Sequence, residues 1–178
     1  GQARFLQPMA SSSFFGLLFG TALILVLVPL ATVARDDVVR AADSLRRSAR
    51  VSKDYGISVI VENHGGLSSD GLWLKGVMER ADDPFVGTLP DFGNFYEYDR
   101  YQGVEDLMPF AKAVSAKSYA FDESGDETTI DYRRMLGLVK AAGYRGHVGI
   151  EYEGKDGDEL AGIARTRSLL ETVRAELA

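Results

Sequence analysis

The chain has 178 residues and no cysteine, which excludes disulfides, thiolate metal sites and a cysteine nucleophile. Hydrophobic residues at 46% and charged residues at 26% describe one globular domain rather than a disordered chain. The net charge of −6 is uneven: all 26 acids, and all of the 20 basic residues except Arg4 and Arg35, lie in residues 36–178, an acidic body without a basic stripe that argues against nucleic acid as the main partner and suits a soluble enzyme or one that binds cations.

Residues 1–35 differ from the rest. Phe14 to Ala34 carries no charge and is long enough to span a bilayer as a helix. It also reads as the apolar core of an export signal, with Thr32 and Ala34 as small residues before a cleavage point. Only Arg4 precedes it, so the positive flank is thin. A third reading is a remnant of an earlier part of the gene. Localisation stays open on this basis: a domain of cytoplasmic type, with membrane anchoring or export through residues 14–34.

Residues 36–178 alternate helix and strand. Asp36 to Tyr55 reads as an amphipathic helix, with Val38, Val39, Ala42, Leu45 and Ala49 at helical spacing and Gly56 as its stop. ISVIVEN follows, a β-branched run of the kind that forms a buried parallel strand. Leu72 to Ala81 reads as a helix and Phe85 to Leu89 as a strand running into Pro90-Asp91-Phe92-Gly93-Asn94. Val104 to Ala113 is the next helix, with Glu105 and Asp106 placed in its first turn. Val114 to Phe121 is a strand, Thr128 to Asp131 has capping-box spacing before a helix to Ala142, His147 to Tyr152 is a strand, and Asp158 to Leu177 is a closing helix. Strand–helix alternation implies a parallel sheet with right-handed crossovers, either an open doubly wound sheet or part of a (β/α)8 barrel. No G-x-G-x-x-G follows any strand, which disfavours a dinucleotide fold.

Each of the four strands ends in polar residues: Glu62, Asn63 and His64; Asp91 and Asn94; Ser115, Lys117 and Tyr119; Glu151 and Glu153. In a parallel sheet these ends share one side, where α/β enzymes build their sites. Glu62, Asp91 and Glu151 would converge there, and three carboxylates held close repel unless a cation or proton intervenes. Structural rivals exist for each residue. Glu62 could cap the following helix, and Asp91 could serve the turn beside Pro90 and Gly93. His64 could be a structural hydrogen-bonder, His147 lies at the far end of its strand, and Glu153 could be a solvated acid. The run Asp122 to Glu127 reads as a solvated loop or a lid.

With ISVIVENHGG, VGTLPDFGNF, VSAKSYAFD, ETTIDYRRML and GHVGIEYEG in order, the chain from about Asp36 to its C-terminus resembles the xylose isomerase-like TIM-barrel superfamily. The resemblance implies a partial (β/α) TIM barrel of about four βα units, similar to strands five to eight, preceded by the apolar N-terminal segment. It also implies one divalent metal held by a glutamate, an aspartate, a histidine and a second glutamate. Glu62, Asp91 and Glu151 match three of these, while Ser115 or Lys117 stands where the histidine is expected and Asn94 replaces a second histidine. A full barrel needs roughly 250 residues. The reading is therefore of a fragment, which is favoured, of a half barrel that pairs with another half to cover its open side, or of one whose N-terminal segment covers part of the gap.

The implied function is a sugar or sugar phosphate isomerase/epimerase acting through an enediolate. Glu62 and Glu151 would move the proton, and His64, Asn94 and Lys117 would meet the sugar or hydroxy-ketone substrate. With oxygen ligands dominating and Ser115 a weak fourth, Mg²⁺ or Mn²⁺ is favoured over Zn²⁺. The alternatives are an inactive binding or scaffold remnant, tethered to a membrane through residues 14–34, and a metal hydrolase of the endonuclease IV kind.

Overall fold

The computed structural model describes residues 24–25, 35–155 and 157–178. The elements are β1 (Ile24–Leu25), α1 (Arg35–Ser52), β2 (Val59–Glu62), α2 (Gly71–Ala81), β3 (Val86–Leu89), α3 (Arg100–Leu107), β4 (Val114–Ser118), α4 (Tyr132–Ala141), β5 (Val148–Tyr152) and α5 (Glu159–Glu176). Short 3₁₀ turns sit at Lys53–Tyr55, Gly66–Ser69 and Met108–Phe110.

All pairings between these strands are parallel. β1 pairs with β2, β2 with β3, and β4 with β5, while single parallel bridges Thr88–Ala111 and Asp91–Ser115 join β3 to the β4 side. Spatial order therefore follows chain order. A doubly wound sheet needs a reversal of strand order to put helices on both faces. Sequential order with right-handed crossovers puts every helix on one face, and each helix here packs against the next. This is an arc of a TIM barrel. Among the described residues it does not close: β5 has β4 for a neighbour and no strand beyond it.

Side-chain alternation separates two faces. Val59, Val61, Val114 and Ala116 join the core packed under the helices, with Leu45, Leu74, Val77, Leu107, Met135, Leu169 and Val173. Glu62, Ser115, Lys117 and Glu151 occupy the alternate positions and so face the inside of the arc. The outer face also has polar contacts: Ser118 Oγ and Thr166 Oγ1 lie 2.6 Å apart and tie β4 to α5, and Thr88 Oγ1 donates to Leu107 O.

Four helices begin on an aspartate whose carboxylate accepts a backbone N–H one turn in: Asp70 from Trp73, Asp99 from Gln102, Asp131 from Arg134 and Asp158 from Ala161. Each such cap contributes about 1 kcal/mol. Two expectations are corrected here. The capping box at Thr128 does not form, because Asp131 is the cap and α4 starts at Tyr132. The third helix starts at Arg100, so Glu105 and Asp106 are not in its first turn. Asp106 is buried instead and accepts hydrogen bonds from Tyr98 Oη, Gln102 Nε2 and Lys75 Nζ.

Apart from Ile24 and Leu25, residues 14–34 lie outside those described. Those two pair as a strand with Val59 and Ile60. No helix among the described residues is long and apolar enough to cross a membrane.

Candidate active site

The site lies where β2, β3, β4 and β5 end or follow one another across the arc. Glu62 is the last residue of β2 and is aligned with Leu89, the last of β3. Asp91 lies two residues further along and is level with Ser115 at the start of β4. Ser115 is in turn level with Gly149, and Glu151 lies two beyond it. This stagger comes from the tilt of barrel strands. It brings Glu62, Asp91 and Glu151 together although their places within the strands differ. Each offers a carboxylate oxygen, and these oxygens lie within 4.8 Å of one another.

Asp91 is fully buried, and its neighbours define its position. Its Oδ1 accepts the backbone N–H groups of Gly93 and Asn94 at 2.9 and 3.0 Å. Asn63, equally buried, clamps its backbone: Asp91 N donates to Asn63 Oδ1 at 2.7 Å, and Asn63 Nδ2 donates to Asp91 O at 3.0 Å. Oδ2 is buried and meets no hydrogen-bond partner. Burial pushes the Asp91 carboxyl up to about 7, although Lys117 and Ser115 pull it the other way.

Glu62 is also buried, and Asn94 Nδ2 donates to its Oε1 at 3.0 Å. Asn94 itself is held by Ser69 Oγ, which donates to its carbonyl at 2.7 Å. Burial and then the charge of Glu151 lift the Glu62 carboxyl above its ordinary range, against the pull of His64, Lys117 and Asn94.

Lys117 has no solvent exposure. Its Nζ lies 2.9 Å from Glu151 Oε1 and 3.1 Å from Glu153 Oε1. These are ion pairs by distance, although the buried ammonium makes no hydrogen bond of good angle with either. Burial pulls its pKa down, but Asp91, Glu151 and Glu153 more than reverse this and hold it above that of an ordinary lysine. Ser115 Oγ donates to Glu151 Oε2 at 3.1 Å, so both oxygens of Glu151 have a partner. Gly93 makes this packing feasible: a Cβ there would sit 2.3 Å from Tyr119 Oη and 2.8 Å from Lys117 Cδ.

The site residues expected from sequence are thus distributed unevenly. Glu62, Asp91, Asn94, Ser115, Lys117 and Glu151 come together. Asn94 is buried against Glu62, and Ser115 lies at the start of its strand rather than at its end. β2 stops at Glu62, so strand alternation does not carry on to His64, which is exposed in the following turn with its backbone N–H on Ser68 Oγ. His147 precedes β5, at the end of the strand away from Glu151.

Two residues gain roles that sequence reasoning did not assign. Asn63 is the clamp on Asp91, and its only signal was its place after Glu62. Glu127, expected in a solvated loop, is buried and accepts the backbone N–H groups of Tyr119, Ala120, Thr129 and Ile130. It organises the loop between β4 and α4.

Four carboxylates (Glu62, Asp91, Glu151 and Glu153) face one ammonium, and one oxygen of Asp91 is orphaned. That donor set suits a hard divalent cation bound through oxygen. Glu62, Asp91 and Glu151 are the residues that would hold it, and they form the one cluster of metal-ligating side chains among the described residues.

A family model described as xylose isomerase-like TIM barrel matches residues 19–173. The chain belongs to this family. Among curated proteins none matches the sequence. Among solved structures, a xylose isomerase-like TIM-barrel protein from Mycobacterium smegmatis in complex with magnesium is similar with a TM-score of 0.67 at 16% identity, over 100% of this chain and 70% of its own. The IolI protein, solved with a bound zinc atom, gives a TM-score of 0.66 at 14% identity, over 98% of this chain and 69% of its own. L-ribulose 3-epimerase gives 0.67 at 17% identity, over 83% of this chain and 59% of its own. At these identities the likeness is one of fold. The chain spans less than two thirds of the epimerase's length.

Proposed function

We propose that this chain carries the acid-rich side of a divalent-metal-dependent sugar or sugar phosphate isomerase/epimerase, a reaction that passes through an enediolate. The observation that carries the proposal is the convergence of Glu62, Asp91 and Glu151 within 4.8 Å, on one face of a TIM-barrel arc. Structural relatives that are epimerases, and others solved with zinc or magnesium, support it.

Glu62, Asp91 and Glu151 would hold the cation, with Ser115 a weak fourth donor. An all-oxygen set favours Mg²⁺ or Mn²⁺ over Zn²⁺. When bound, such an ion stabilises negative charge developing on neighbouring oxygens. The chain's own residues do the rest. Glu62 and Glu151, whose carboxylate oxygens lie within 4.8 Å of each other, would exchange the proton on the carbon next to the carbonyl. The raised pKa of Glu62 suits it to hand a proton back. Lys117 and Ser115 fix the orientation of Glu151, and Asn94 fixes that of Glu62. His64, exposed just after β2, would meet substrate hydroxyls. A hydrolase of the endonuclease IV kind has less support, since neither His64 nor His147 belongs to the acid cluster.

The test is exchange of the α-proton of ketoses in D₂O with added Mn²⁺, followed by NMR. Exchange should require the ion, and Glu151→Gln should lower its rate by about 10²–10⁴-fold. An unchanged rate in Glu151→Gln would remove that residue from the chemistry. Calorimetry showing no Mn²⁺ binding would instead favour a binding or scaffold remnant of the barrel.

A further inference from the structure

Resting on the proposed isomerase reading, the structure assigns Arg100 as an anion-recognising residue at the mouth of the site, so that the substrate carries a phosphate or carboxylate besides its carbonyl. Arg100 is the first residue of α3, immediately after the loop that begins with Asp91. Connections that lead out of a strand's carboxyl end lie on the site's side of the sheet. The loop from Asp91 to Asp99 therefore delivers Arg100 to that side.

Its guanidinium is not spoken for. Nη1 is buried and meets no hydrogen-bond acceptor. Arg100 forms no ion pair among the described residues, whereas Arg40, Arg46, Arg133 and Arg167 each hold a carboxylate. The nearest acid in sequence, Asp99, spends Oδ1 on capping α3 through Gln102 N. In a chain with 26 acids, a part-buried arginine with an orphaned N–H is unusual. Withdrawing such a donor from water is unfavourable until an acceptor meets it.

Tyr119 connects Arg100 to the acid cluster. Its hydroxyl lies against Gly93, between Asp91 and Asn94 in sequence. The charges of Lys117, Asp91, Glu153 and Arg100 all act on that hydroxyl. Tyr119 thus lies within electrostatic reach of both Arg100 and the carboxylates. The buried cation of the site, Lys117, is already paired with Glu151 and Glu153 and has little to offer a second anion. A guanidinium offers paired N–H donors that match phosphate and carboxylate oxygens.

The experiment measures binding of four probes to the full chain with Mn²⁺ present: D-ribulose, D-ribulose 5-phosphate, the keto acid 5-keto-D-gluconate and inorganic phosphate. One of the two anionic sugars should bind about tenfold or more tightly than D-ribulose. Which of the two gains decides between a phosphate and a carboxylate. Arg100→Ala should abolish the gain and leave D-ribulose affinity unchanged, and Arg100→Lys should restore only part of it. Equal affinities for neutral and anionic sugars, or an Arg100→Ala variant that weakens both alike, would overturn the assignment. Arg100-dependent binding of inorganic phosphate without α-proton exchange would uphold the anion site while removing the isomerase reading.

Discussion

Glu62 stands on β2, which has a strand on each side, and Asp91 stands just after β3, which pairs with β2 and is bridged to the β4 side, whereas Glu151 and Glu153 stand on or just after β5, which has a neighbour on one side only among the described residues. The first pair is buried and held by fixed dipoles: the amides of Asn63 and Asn94 and the N–H groups after Asp91. The second pair is part-exposed, with side chains 39% and 49% accessible, and is held mainly by the ammonium of Lys117. Fixed dipoles hold geometry without needing a charge, while a wall organised by an ion pair depends on that one cation. The closed wall therefore sets the position of the site, and the open wall is where it is most easily disturbed.

The largest expected effect tests the closed wall. Asp91 titrates near 7 when folded and near its ordinary 3.8 when unfolded, so the folded state holds its proton more tightly. Its contribution to stability is complete below about pH 4 and is lost as pH rises through about 7. In metal-free protein, roughly 2–4 kcal/mol should disappear across that window in urea titrations. Asp91→Asn should flatten the slope, and an equally steep slope in that variant would show that another group is responsible.

Lys117→Met tests the open wall. It leaves Glu151 and Glu153 without their cation, and their partial exposure lets water screen part of the loss. A destabilisation of about 2–3 kcal/mol is expected by denaturant unfolding at pH 7. A stability at or above the parent's would mean that the fully buried ammonium is better replaced by a thioether, and that the ion pairs serve function alone.

Gly93→Ala acts where the two walls meet. The added methyl collides with Tyr119 Oη and the Lys117 stem, which should lower stability by about 1–3 kcal/mol and weaken Mn²⁺ binding through the displaced Lys117. Unaltered Mn²⁺ affinity measured by calorimetry would uncouple that packing from the carboxylates. Glu153→Gln should have the smallest effect, under about 1 kcal/mol, because an exposed partner contributes little. A larger loss on thermal melting would place Glu153 among the groups that hold the site together.

Much of the architecture could be read from the residues. The runs around Val59–Glu62, Val86–Leu89, Val114–Ser118 and Val148–Tyr152 are β-branched and short, and helical periodicity separates them. The acids at their ends are conspicuous because an apolar strand seldom carries one. Helix starts were less legible. Thr128 and Asp131 are both good caps, and the choice fell to Asp131 once Glu127 was recruited by the backbone of the preceding loop. Beyond the place of Asn63 after Glu62, neither Asn63 nor Glu127 carried a signal of its role, because an amide or acid in a turn looks the same whether it meets water or a distant backbone.

The amino-acid order by itself determined the local structure, the succession of strands and helices, and which side chains bear the chemistry, because periodicity and short-range hydrogen bonding act over a few residues. Only the tertiary structure decided that the strands run in chain order, that stagger brings Glu62, Asp91 and Glu151 to one point, and that Lys117 lies buried among acids. Those outcomes depend on register and on contacts between residues tens of positions apart. Many alternative pairings satisfy the same local rules, and the packing of the whole sheet against its helices selects one.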